Sequence, residues 1–93
     1  MITLKEIERK IKDGMKVDLI EVNDLRGGDH IQIILVSPDF EGKTLVEKHK
    51  MIYSILDQEM KSNEIHALTL KTYAPSEWKN IKNNFSKDVG HSI

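Results

Sequence analysis

The sequence predicts an α+β fold in the order α-β-β-α-α-β-α, a three-stranded mixed sheet covered by helices on one face. Two Thr-x-x-Glu capping boxes each open a run of apolar residues at helical spacing. Two β-branched runs flank a glycine-containing turn, the signature of an antiparallel hairpin. A third alternating run is reached only through helical sequence, which favours parallel pairing and a right-handed crossover.

Thr3 and Glu6 form the first box; Leu4, Ile7 and Ile11 follow until Gly14 offers a C-cap, so the first helix covers 3–13. VDLIEV, 17–22, is a partly alternating strand, and HIQIILVS, 30–37, a stronger one with Ile31, Ile33 and Leu35 on one face. Between them NDLRGGD is turn chemistry, with Gly27 and Gly28 free to take positive φ. Ser37 as cap and Pro38 at the first helical position open a short turn at SPDF. Thr44 and Glu47 then start a helix over 44–61 whose apolar face carries Leu45, His49, Ile52, Tyr53, Leu56 and Met60. In EIHALTLKTY, His66, Leu68 and Leu70 share one parity, while Ala67, Thr69 and Lys71 take the wetter face. Pro75 begins a last helix with Trp78, Ile81 and Phe85 on its apolar side. One domain over 1–85 and a flexible tail over 86–93 are expected.

Composition narrows the chemistry. Without cysteine the chain makes no disulfide, offers no thiolate nucleophile and cannot hold a cluster on its own Cys ligands, so any metal rests on His, Asp or Glu. MITLKEIERKIKDG alternates charged and apolar residues, unlike a signal peptide, and no window approaches 18 consecutive apolar residues. A cytoplasmic protein is the expectation. A net charge of −1 argues against strong nonspecific polyanion binding while leaving room for local basic faces. Ser37, Ser54 and Ser76 have no base arranged by a recognisable motif, and HExxH, GxSxG and phosphate-binding glycine patterns do not occur, so the chain is not expected to be an enzyme.

The histidines hold the interest. If the second and third strands are parallel neighbours, His30 and His66 stand at the same edge of the sheet, about 5 to 10 Å apart. Two imidazoles at one rim make a credible metal edge. Parity opposes it, because His66 points with Leu68 toward the core and His30 with Gln32 away from it. His66 is the better single candidate, against the plainer reading of a rim histidine bonded to a loop carbonyl. His49 falls in the apolar row of its helix and is expected against the core with its ring nitrogens satisfied. His91 lies in the tail. Lys43, Lys48 and Lys50 sit at the helix start and on its outer side, interrupted by Glu41 and Glu47, which reads as a solvated mixed-charge face before a phosphate-binding patch. Met15, Met51 and Met60 read as core or boundary fillers.

FEGKTLVEKHKMIYSILDQEM followed by IHALTLKTYAPSEW resembles the BolA family, with a Phe and Gly at the helix lead-in, a histidine beside a basic residue, and a late His-Ala-Leu strand ending in Pro-x-x-Trp. The likeness covers about residues 4–80. It implies a fold similar to the class II KH domain and a partner, a monothiol glutaredoxin, with which relatives share a bridged 2Fe-2S cluster that the isolated chain does not bind. The glutaredoxin cysteine and a glutathione thiolate would supply one side. This chain would supply His66 and a second ligand from the loop before the second strand, where the only histidine is His30 and Asp29 or a solvent-derived ligand stays open as an alternative. The short loop resembles a compact bacterial branch. Imidazole in place of thiolate raises a cluster's potential and requires the neutral ring, which suits handover more than storage.

The family likeness also implies an alternative, a DNA-binding transcriptional regulator with Lys43, Lys48 and Lys50 on phosphate. The chain lacks the G-x-x-G clamp of KH domains, and its aromatic content of 5% leaves few stacking platforms. A third reading is a protein-binding module in which His66 and the last helix form a dry interface. Alone, the chain is expected to be a monomer or weak homodimer without membrane contact.

Overall fold

The computed structural model describes residues 2–27 and 30–82. The elements run α1 (Leu4–Gly14), β1 (Leu19–Arg26), β2 (His30–Val36), a 3-10 turn (Pro38–Phe40), α2 (Leu45–Ile55), α3 (Asp57–Lys61), β3 (Ala67–Tyr73) and a helix, α4, over 75–82. Strand order is β1-β2-β3, with β1 antiparallel and β3 parallel to β2. This is the α+β, mixed-sheet architecture that the sequence predicts. The expected tail over 86–93, with His91, lies outside the described residues, as do Phe85, Gly28 and Asp29.

The Thr3 hydroxyl accepts the Glu6 N–H at 3.1 Å and starts α1, which buries Ile7 and Ile11. Gly14 is not the left-handed cap that the sequence suggests. It is the last helical residue, the extended Met15 is the cap, and a Cβ on Gly14 would stand 2.9 Å from Ile55 Cδ1, so the glycine serves close approach of α1 to α2. β1 starts two residues later than expected and ends four later. Asn23 and Asp24, read as turn chemistry, pair with Gln32 and Ile31, and a bulge follows between Asp24 and Arg26. A long central partner supplies ladder bonds that outweigh the weak strand preference of Asn and Asp. Gly27 takes the positive φ, +52°, that the turn requires.

Ile31, Ile33 and Leu35 of β2 point with Ile20, Val22, Leu68 and Leu70 into a core completed by Ile7, Ile11, Phe40, Ile52, Leu56, Ile65 and Ala74. Met15, Met51 and Met60 pack at its boundary, as expected. Ser37 caps the 3-10 turn through the Asp39 N–H, and its own hydroxyl donates to the Lys16 carbonyl, tying the entry of β1 to the exit of β2.

The helix expected over 44–61 starts on the full Thr44–Glu47 capping box but breaks at Leu56, whose φ of −99° and ψ of 18° separate α2 from α3. Its buried side also differs. Lys48, Ile52, Leu56 and Glu59 face inward, whereas Leu45 and Tyr53 are 61% and 40% exposed. An apolar pattern rejects Lys48 and Glu59 as core positions; both are buried because each meets an opposite charge, Glu77 and Lys10. Trp78 does not close the core. It is half-buried beside Tyr73, ring centroids 5.3 Å apart, and Ile81 is 38% exposed.

Candidate metal-binding edge

The parallel register decides the site. His30 pairs with Ala67, so His66 directly precedes the residue opposite His30. With strands about 4.8 Å apart and successive Cα atoms 3.8 Å apart, the two histidine Cα atoms are separated by at most about 9 Å. The shared edge expected from sequence is therefore present.

The two rings are held differently. Asn63 takes a left-handed φ of 62° after α3, and the Ile65 N–H bonds to the Glu59 carbonyl at 3.1 Å, which drives Ile65 into the core at 1% exposure. His66 lies between that buried anchor and the first ladder residue, Ala67. Outside the ladder it is released from strand alternation, so it is exposed instead of following Leu68 inward, and its ring makes no hydrogen bond among the described residues. His30, inside the ladder, is half-buried on the outer face, with Nε2 2.8 Å from Thr69 Oγ1. On the same face the Asn23 amide donates to Gln32 Oε1 at 3.2 Å.

His49 is half-buried, and its Nε2 is buried without a partner among the described residues, contrary to the expectation of a satisfied ring. Among the basic residues, Lys43 and Lys50 are exposed, as expected. Lys48 is the correction. It is 4% exposed, and its ammonium sits 2.5 Å from Glu77 Oε1, so neither its surface nor its charge is available to phosphate. That ion pair holds the Glu77 carboxyl below the usual glutamate range, helped by the Ala74 N–H, which donates to the same oxygen at 2.8 Å. The Lys10 ammonium, 2.6 Å from Glu59 Oε2, likewise lowers the Glu59 carboxyl.

The family model described as BolA-like protein matches residues 8–77. The chain belongs to the BolA family. Among BolA relatives, "Protein BOLA2" of Arabidopsis thaliana is 39% identical over 82 residues, covering 85% of this chain and 86% of that protein. The "DNA-binding transcriptional regulator BolA" of Escherichia coli K12 is 32% identical over 90 residues, covering 88% and 85%. The crystal structure of a Bol-like protein from Babesia bovis superposes with a TM-score of 0.80 at 28% identity, covering 88% of this chain and 95% of that one. Plant and bacterial BolA proteins both match well, so the bacterial branch suggested by the short loop is not singled out.

The contacts of Thr69 with His30 and of Glu77 with Lys48 escaped the sequence reading. Glu77 carries a signal, since it stands three residues after Ala74 with Pro75 between, the arrangement in which an N3 glutamate reaches back to the N-cap amide. Thr69 carries none, because its contact with His30 depends on a register that two uniform strands leave open by one step.

Proposed function

We propose that this BolA-family chain is a non-enzymatic adaptor that binds a monothiol glutaredoxin and shares a bridged 2Fe-2S cluster with it and glutathione, in iron-sulfur trafficking or iron homeostasis in the cytoplasm. The observation that carries the reading is the register that sets His66 beside the position opposite His30. The donor set fits one half of such a centre. His66 is exposed with both ring nitrogens unengaged among the described residues, and His30 has one nitrogen outside its bond to Thr69. Among those residues no three His, Cys, Asp or Glu side chains converge, and in this reading the glutaredoxin cysteine and a glutathione thiolate supply the remaining ligands. When bound, the cluster supplies one-electron chemistry and a transferable iron-sulfur unit, at a potential raised by imidazole ligation. His66 is the accessible donor and His30 the fixed one.

The test mixes the chain with a monothiol glutaredoxin and glutathione under anaerobic reconstitution and follows visible absorption and circular dichroism. A spectrum distinct from that of glutaredoxin alone, lost with His66→Ala, is expected. No complex, or a spectrum that His66→Ala leaves unchanged, sinks the proposal.

The second reading is a DNA-binding regulator, favoured by the name of the E. coli relative and by the exposed Lys43 and Lys50. With Lys48 neutralised by Glu77, the helix start offers two of its three expected phosphate contacts. Duplex titration at physiological salt decides: affinity weaker than about 10⁻⁴ to 10⁻⁶ M is nonspecific binding at best.

A further inference from the structure

His30 is held where most ligand candidates are free, and the atom that holds it has a consequence for which nitrogen it can offer. Its Nε2 lies 2.8 Å from Thr69 Oγ1, a cross-strand contact between neighbouring ladder residues of β2 and β3. A threonine hydroxyl can donate or accept, so the contact alone admits two tautomers. Nδ1 has no partner among the described residues, and it is not one of the buried unpartnered side-chain atoms, which are His49 Nε2, Glu59 Oε1 and Thr72 Oγ1. If Nδ1 carried the proton, no described residue would accept that N–H and water would have to, while Nε2 would take its bond from the hydroxyl. If Nε2 carries it, the N–H donates to Thr69 and the lone pair at Nδ1 is free. The second arrangement uses the one bond that the described residues make to the ring to orient a donor atom, which is how metal-ligating histidines are ordinarily held through their other nitrogen.

We infer that Thr69 is a positioning residue for His30: its hydroxyl accepts the Nε2–H, fixes that tautomer and ring orientation, and leaves Nδ1 as the atom through which His30 serves as the second nitrogen donor at the shared edge. The donor role rests on the adaptor reading; the tautomer does not. The inference also explains how a residue on the outer face, with alternation against it, joins an edge with His66. The ring need not turn toward the core, because Nδ1 lies on the backbone side of the imidazole while Nε2 points out along the sheet to Thr69.

Two measurements test it. In the free chain, labelled with ¹⁵N-histidine and held at a pH where the ring is neutral, NMR of the ring nitrogens reads the tautomer directly. An Nε2–H, Nδ1-unprotonated His30 is expected, with that preference lost in Thr69→Val and restored in Thr69→Ser. Val keeps the β-branched shape that the strand favours, so the fold is retained. An Nδ1–H tautomer in the wild-type chain overturns the inference even if a cluster forms. In the reconstituted glutaredoxin pair, Thr69→Val is expected to weaken cluster retention by about 10- to 100-fold, the usual loss when a ligand's supporting hydrogen bond is removed, and Thr69→Ser to recover it. A cluster that forms with wild-type chain and is indifferent to Thr69→Val overturns the inference alone. Failure of the wild-type chain to share any cluster overturns the adaptor reading and the donor role with it, and the free-chain spectrum then tells whether Thr69 orients the ring.

Discussion

Removing the Glu77 carboxylate should expose how much of this small domain rests on one buried charge. Lys48 Nζ is 2.5 Å from Glu77 Oε1, with side-chain exposures of 5% for the lysine and 48% for the glutamate, and the Ala74 N–H shares that oxygen at 2.8 Å. Breaking a fully buried pair costs about 3–5 kcal/mol because a charge is stranded. Here one partner is half in water, so the value is discounted toward that of a hydrogen bond to a charged group, and Glu77→Ala is expected to destabilise by about 2–3 kcal/mol. For a domain of this size that lowers Tm by roughly 8–24 °C. Glu77→Gln, which keeps both acceptor contacts and loses only the charge, should cost about half as much. In Lys48→Met/Glu77→Ala the stranded ammonium is gone, so the double variant should be more stable than the single-site costs added together. The pH dependence has a definite sign. Lys48 holds the folded carboxyl below the ordinary value near 4.5, so its contribution is present above that pH and disappears as pH falls through the lowered value. Wild-type and Glu77→Ala stabilities should therefore converge in acid. Urea denaturation with an unchanged m-value is the assay. A Glu77→Ala cost below about 0.5 kcal/mol, or strict additivity with Lys48→Met, would refute the burial argument.

Thr44→Ala removes the cap of α2 and should cost about 1 kcal/mol in the same denaturation experiment, without altering the spectrum of a glutaredoxin complex. Ile52→Ala, at a fully buried position of the core, should cost about 2–5 kcal/mol and lower the urea midpoint accordingly. Gly14→Ala tests the close approach of α1 to α2: the clash is with the flexible tip of Ile55 and the helix gains propensity, so stability should change by less than about 1 kcal/mol, whereas Gly14→Val should be clearly destabilising. If DNA is bound, replacing Lys43 or Lys50 by Ala should each reduce the slope of log affinity against log salt by about 1, read from titrations at several salt concentrations.

The elements were legible because their signals are local. Thr44 with Glu47, Ser37 with Pro38, and the Ile31, Ile33, Leu35 alternation are chemistry between residues at most a few positions apart, and each stands in the structure where the sequence puts it. The edge shared by His30 and His66 was legible too, since parallel pairing follows from a helical crossover. Tertiary structure decided what depends on partners far along the chain. Lys48 reads as a surface residue until Glu77, 29 positions away, arrives to neutralise it, and the burial of Glu59 likewise depends on Lys10, 49 positions away. Asn23 and Asp24 read as a turn until β2 offers its ladder. His66 follows strand alternation on paper, but the buried Ile65 before it and the start of the ladder after it free it to face solvent. Thr69 meets His30 Nε2 through a register of one residue's precision, a contact invisible to periodicity because the two residues are 39 positions apart.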